Sequence, residues 1–171
     1  MIKVKKILFV LLLLLPFISA CNNKSSFYRD IEKINENFSF KLFIYGDEIT
    51  EEKHAEALPD NLNYEYIESL DDQLDFDGIF VLMITKDVND EEMVKLNTMF
   101  MDNVNILFYD ITNYRDKLKS SEYDFVKYSS IQDNDMSLFY FKSKGPYIGS
   151  TSEPTIWGAF SLIDRLLRMS I

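Results

Sequence analysis

The chain predicts an α/β fold, a single domain in three layers with a doubly wound, mainly parallel sheet between layers of helix. Two observations carry this reading. Short apolar runs alternate along the chain with segments of helical periodicity, the pattern of βαβ units. One of those runs, Ile79 to Ile84, is apolar throughout. It is too short for a helix of its own and suits a strand buried on both faces, as parallel sheets require. Right-handed crossovers then wind the chain onto both sides of the sheet.

The elements follow in order. Phe27, Ile31, Ile34 and Phe38 recur at spacings of four, three and four, which places them on one face of a first helix. Phe40 to Tyr45 predicts a strand that ends at Gly46-Asp47. Thr50 can cap a short helix through Leu58, with Glu51 and Glu52 in the first turn, where the helix dipole favours negative charge. Pro59-Asp60-Asn61 stops it. Tyr64 to Ile67 is a second strand, and Ser69, Leu70 and Leu74 allow one or two helical turns.

After Ile79–Ile84, Asn89 followed by Glu92 makes a capping-box start, and Met93, Leu96 and Phe100 follow at helical spacing. Val104 to Tyr109 is a strand, apolar apart from Asn105, and Tyr114 to Ser120 is a short polar helix. Phe125–Tyr128 and Met136–Phe141 are expected to pair as a hairpin across Gln132-Asp133-Asn134-Asp135. Ser143 to Ser152 reads as a loop, and a last helix opens near Pro154 with Ile156, Phe160, Ile163 and Leu167 on one face. The expected strand order is 2-1-3-4-5, flavodoxin-like: about five strands, with Met136–Phe141 as an antiparallel edge.

The first twenty residues have a different character. Lys3, Lys5 and Lys6 form a positive region ahead of an apolar run from Ile7 to Phe17, and small residues Ser19 and Ala20 precede Cys21. As a helix, Ile7 to Ala20 would span about 21 Å, against the roughly 30 Å of a hydrocarbon core. A cleaved secretory signal therefore fits better than a permanent span.

The tetrad Ile18-Ser19-Ala20-Cys21 resembles the lipobox of bacterial lipoproteins, an aliphatic residue and two small ones before an invariant cysteine. The resemblance covers only the first twenty-one residues, and it uses the chain's one cysteine. It implies diacylglycerol on the Cys21 sulfur and cleavage between Ala20 and Cys21. The organisation expected is residues 1–20 as signal peptide, 21–26 as lipidated cysteine and polar tether, and 27–171 as the α/β domain. The implied partner is the membrane, reached through that lipid, with the domain on its extracytoplasmic face.

Lipidation would leave no thiol for a disulfide, a thiolate metal site or a nucleophile. Charge narrows the partners further. The chain carries 18 Lys+Arg and 28 Asp+Glu. Removal of Lys3, Lys5 and Lys6 with the signal leaves 15 against 28, a net charge of −13. That disfavours nucleic acid and anionic headgroups. It is compatible with an acidic solvated surface, a basic partner or bound cations.

In open α/β sheets ligands bind beyond the carboxyl ends of the strands. Those ends carry Asp47 and Glu48, then Thr85, Lys86 and Asp87, then Tyr109 and Asp110. Asp47, Asp87 and Asp110 would be the oxygen ligands of a hard cation if they converged. The alternative is that each caps the segment that follows it. Gly46-Asp47-Glu48-Ile49-Thr50 resembles the first block of the GDSL/SGNH hydrolases, and Ile84-Thr85-Lys86-Asp87 is similar to their Gly-x-Asn-Asp block. Yet Glu48 stands in the nucleophile position, Ile84 and Lys86 stand in the oxyanion-hole positions, and the only histidine is His54, far from the C-terminus. A serine hydrolase lacking nucleophile, base and oxyanion donors has no means of catalysis.

Acidic residues after strand one also resemble response-regulator receiver domains, but no carboxylate ends Leu82-Met83-Ile84 where their phosphoacceptor belongs. No Gly-rich phosphate loop occurs. Gly145 to Ser152, ahead of the last helix, has the composition to hold an anion or simply to cap that helix. No cofactor is expected. The function expected is a non-catalytic domain that binds a protein or a small molecule. A metal-assisted hydrolase and an immunity or accessory lipoprotein are the alternatives.

Overall fold

The apolar runs of this chain become strands buried on two sides, and the computed structural model shows how. It describes residues 39–50, 58–113, 115–120, 123–124, 131–135, 137–141, 147–151 and 155–169. The elements are β1 (Phe40–Tyr45), β2 (Tyr64–Ile67), β3 (Ile79–Ile84), α1 (Asp90–Met101), β4 (Asn105–Phe108), α2 (Arg115–Ser120), β5 (Ser137–Phe141), β6 (Tyr147–Thr151) and α3 (Ile156–Met169). The fold is α/β. Strands β2, β1, β3 and β4 form a parallel sheet, extended on the far side by β5 and β6.

Side chains alternate faces along a strand, and the two faces of this sheet bury two separate clusters. Phe40, Leu42 and Ile44 of β1, Val81 and Met83 of β3, and Leu107 of β4 pack with Ile156, Ala159, Phe160 and Ile163 of α3. Phe43, Leu82, Ile84, Ile106 and Phe108 pack on the opposite side with Met93, Leu96 and Phe100 of α1 and Leu118 of α2. This double burial is the reason β3 reads as an unbroken apolar run. The one polar residue in β4, Asn105, is 7% exposed and donates from Nδ2 to the Phe80 carbonyl at 2.9 Å. A buried amide that finds such a partner avoids most of its desolvation cost.

Helix α1 starts and stops on local chemistry. Asn89 accepts from the Glu92 N–H while the Glu92 side chain accepts from the Asn89 N–H, a complete capping box. At its end Asn103 adopts φ 71°, the left-handed conformation. Val104 N–H then donates to the Met99 carbonyl and Asn103 N–H to that of Phe100, at 2.9 and 3.1 Å. This is a Schellman motif with asparagine in the position glycine usually fills.

Several expectations are corrected here. The stretch Ser69–Leu74 is a turn rather than a helix. Asp72 Oδ2 accepts from the N–H groups of Glu68 and Ser69, and Ser69 Oγ accepts from that of Asp71. With the Asp72 N–H on the Ser69 carbonyl at 3.2 Å they close a single turn, which the chain does not continue. The segment Ser143–Ser152, expected as a loop, contains β6, which pairs antiparallel with β5. The expected edge position of Met136–Phe141 is therefore not observed: β5 is antiparallel to β4 but lies between β4 and β6. The helices expected at Phe27–Phe38 and Thr50–Leu58, the strand Phe125–Tyr128, and Cys21 with its tether lie wholly or mostly outside the described residues. Among the described residues no helix is long and apolar enough to cross a membrane.

Candidate functional site

The strand order places β2 on one side of β1 and β3 on the other. Connections leaving β1 and β3 therefore diverge, and the carboxyl ends of these two strands frame the crevice where such sheets bind ligands. Tyr45 ends β1, and it pairs in register with Ile84 at the end of β3. Gly46 follows Tyr45 with φ 122°, a conformation side chains rarely adopt, and its backbone passes close to Lys86. A Cβ on Gly46 would sit 2.6 Å from Lys86 Cγ and 2.9 Å from its backbone nitrogen. Only glycine permits that approach.

Three of the chain's own side chains meet at this crevice. Lys86 Nζ lies 2.8 Å from Glu92 Oε1 and 4.8 Å from the centre of the Tyr45 ring. The Tyr45 hydroxyl donates to the same Glu92 oxygen at 2.6 Å. The second Glu92 oxygen accepts the Asn89 N–H at 2.8 Å. Across the mouth, Thr85 ties the two loops together, donating from Oγ1 to the Asp47 carbonyl at 2.7 Å and from N–H to the Tyr45 carbonyl at 3.0 Å. Ile49 N–H donates to the Tyr66 hydroxyl at 2.9 Å and holds the β1 loop toward β2.

The protonation states of this cluster are driven apart. Burial pushes the Glu92 carboxyl up, but Lys86, Tyr45 and the Asn89 N–H together outweigh it and hold it at about 2. Lys86 is raised, chiefly by its hydrogen bond to Glu92 and against its own desolvation. Tyr45 is raised by burial and then by the Glu92 carboxylate. Near neutral pH the three are thus carboxylate, ammonium and phenol. General acid–base catalysis works best with groups that exchange protons near the working pH, and none of these does. The arrangement is suited to locking two strand ends together.

The three aspartates singled out from the sequence do not converge. Asp47 is exposed and contributes its backbone carbonyl to Thr85. The Asp87 carboxylate accepts from Asn113 Nδ2 at 3.2 Å through both oxygens. The Asp110 carboxylate accepts from the Thr112 N–H and hydroxyl at 2.9 and 2.6 Å, closing its own turn. Among the described residues no three His, Cys, Asp or Glu are grouped to hold a metal ion. Two of the three carboxylates, Asp87 and Asp110, are bonded to neighbouring donors.

The last helix opens near Pro154 as expected, but its cap is a different residue. Thr155 Oγ1 accepts the Gly158 N–H at 3.0 Å, as an N-cap does. Thr151 instead belongs to β6, while Gly145, Ser152 and Pro154 lie outside the described residues, as does His54. The Tyr45–Lys86–Glu92 cluster was not legible as a unit. Glu92 announces itself through the capping box, but that motif accounts for only one of its two oxygens. Compared with protein-family models, with curated proteins and with solved structures, the chain matches none of them.

Proposed function

We propose that this protein is a lipid-anchored extracytoplasmic lipoprotein whose α/β domain serves in binding rather than catalysis. One observation carries the first half: Ile18-Ser19-Ala20-Cys21 follows a basic region and an apolar run and uses the chain's single cysteine. In this reading Cys21 carries diacylglycerol after cleavage from Ala20, and residues 22–26 tether the domain to the bilayer. Each buried lipid CH₂ is worth roughly 0.8 kcal/mol, and two acyl chains together hold far more durably than one.

The second half rests on the switch-point crevice. The Lys86–Glu92–Tyr45 network occupies it with groups in fixed protonation states, while Asp87 accepts from Asn113 of the loop after β4 and Asp110 from Thr112 of its own turn. A domain in that condition acts through its surface. The net charge of −13 after signal removal argues for a partner other than nucleic acid. For the architecture we extend the reading to a flavodoxin-like, doubly wound three-layer fold, on the strand order β2-β1-β3-β4 and the two buried faces.

The anchor is tested by Cys21→Ser in a bacterial host fed radiolabelled palmitate. Label is expected on the parent protein and absent from the variant, which accumulates with residues 1–20 attached. A variant that is processed normally and stays with the membrane fraction would rule the anchor out.

A further inference from the structure

Among the described strands the sheet ends at β2, which pairs with β1 on one side and with no other described strand. The Asn63 carbonyl accepts the Leu42 N–H at 2.9 Å. Backbone groups alternate sides along a strand, so those of Glu65 and Ile67 face β1, and the N–H and C=O of Tyr64 and Tyr66 face away from it. Such an edge is a template for another strand, and proteins normally blunt it with lysine, proline or a bulge. Tyr64-Glu65-Tyr66-Ile67 contains neither lysine nor proline.

Two further features surround these outward groups. Tyr64 and Tyr66 are 42% and 37% exposed and stand edge to face with ring centres 5.9 Å apart. The Tyr66 hydroxyl is fixed by the Ile49 N–H, so this aromatic ledge is held in place before anything binds. The second feature is charge. From Leu58 to Thr85 the chain has seven carboxylates (Asp60, Glu65, Glu68, Asp71, Asp72, Asp75 and Asp77) and no Lys or Arg. Lys41 neutralises Glu65 and Lys95 neutralises Asp71. Burial raises the Tyr66 hydroxyl above its ordinary value, the Ile49 N–H opposes the rise, and Tyr64 and the nearby Glu48 carboxylate add to it.

We infer that the outer edge of β2 docks an extended, Lys- or Arg-rich segment of a partner protein, which adds to the sheet as a further strand. The inference rests on the reading of this domain as a binding module and names the partner's chemistry. Main-chain bonds to Tyr64 and Tyr66 supply the pairing, the two rings cover the incoming strand, and the acidic tract selects for positive charge. A second copy's β2 comes from the same tract, 58–85, which has no Lys or Arg, so it offers no positive charge to match the carboxylates here.

The test uses the full-length, isotope-labelled chain in a non-ionic detergent and the peptide acetyl-Lys-Val-Lys-Val-Lys-Val-amide. Amide resonances of Tyr64 and Tyr66 are expected to shift, and binding is expected to weaken as salt is raised. The matching Glu-Val peptide should leave those resonances unmoved. Tyr64→Pro removes an outward N–H without touching the β1 ladder and should weaken binding by about tenfold or more. If that variant does not fold, the Lys-Val peptide N-methylated at its valines serves the same purpose and should bind equally poorly. Equal binding of the lysine and glutamate peptides, or of the N-methylated peptide, overturns the proposal. So does a dimer in sedimentation that Tyr64→Pro dissolves, since the edge then belongs to a second copy. Shifts confined to another surface overturn the edge site and leave the binding-module reading standing.

Discussion

Phe108→Ala is expected to destabilise the folded chain by about 3–5 kcal/mol, the range for a buried phenylalanine reduced to alanine. Phe108 is fully buried at the end of β4, in register with Ile84 of β3 on one side and Leu138 of β5 on the other. Its side belongs to the cluster formed with α1 and α2. The sheet beneath it is hydrogen-bonded on both edges of β4, so the backbone has little freedom to collapse into the space left. Phe108→Leu retains most of the volume and should cost about 1 kcal/mol. Equilibrium urea unfolding of both variants separates a cavity effect from a simple loss of apolar area. A loss below about 1 kcal/mol for the alanine variant would mean that β4 is not the sheet's interior strand.

Glu92→Ala is the second large effect, about 2–3 kcal/mol. It deletes the cap on the Asn89 N–H, the acceptor of the Tyr45 hydroxyl and the counter-ion of Lys86 in one step. Glu92→Gln keeps the size and one acceptor and should cost less, about 1–2 kcal/mol. The same residue sets an acid dependence. Its folded pKa of about 2 lies below the ordinary 4.5, so the folded state favours the carboxylate. That contribution is fully present above pH 4.5 and is lost as pH falls from there through 2. Allowing for screening by nearby water, it amounts to about 1–2 kcal/mol. Lys86 has the opposite sign: its raised pKa makes a contribution that is full below 10.5 and lost as pH rises beyond it. Urea unfolding at intervals between pH 2 and 6 should show parent stability falling with acid more steeply than that of Glu92→Gln. Parallel curves would remove Glu92 as the source.

What the chain discloses without a structure is uneven, and the reasons are physical. Ile79–Ile84 coincides with β3 because burial on both faces leaves an unbroken apolar run, and Phe40–Tyr45 coincides with β1 with Lys41 as its one break. Asn89 and Glu92 marked the start of α1 because a capping box is local and complete within four residues. β6 was hidden because Tyr147–Thr151 contains Gly149, Ser150 and Thr151, a composition shared with loops. Its extended state comes from pairing with β5. Leu70 and Leu74 suit a helical turn, but Ser69–Asp72 closes one turn and the chain does not continue it. In a sheet of this kind side chains from separate loops meet at the carboxyl ends of the strands. The residues that meet there were not legible, since Tyr45 and Lys86 are brought together only by the β1–β3 register. The aspartates stood out because charge is visible in a sequence, whereas the donors that occupy Asp87 and Asp110 become visible only in the fold.

The proposed lipid anchor on Cys21, which would hold this domain at a bacterial membrane surface, is tested by the mature N-terminus. Trypsin should release Cys21-Asn22-Asn23-Lys24 from the protein purified out of membranes. Mass spectrometry of that peptide is expected to show diacylglycerol on the cysteine sulfur, with no peptide from residues 7–20 remaining. An unmodified Cys21, or a mature chain beginning at any other residue, would contradict the account.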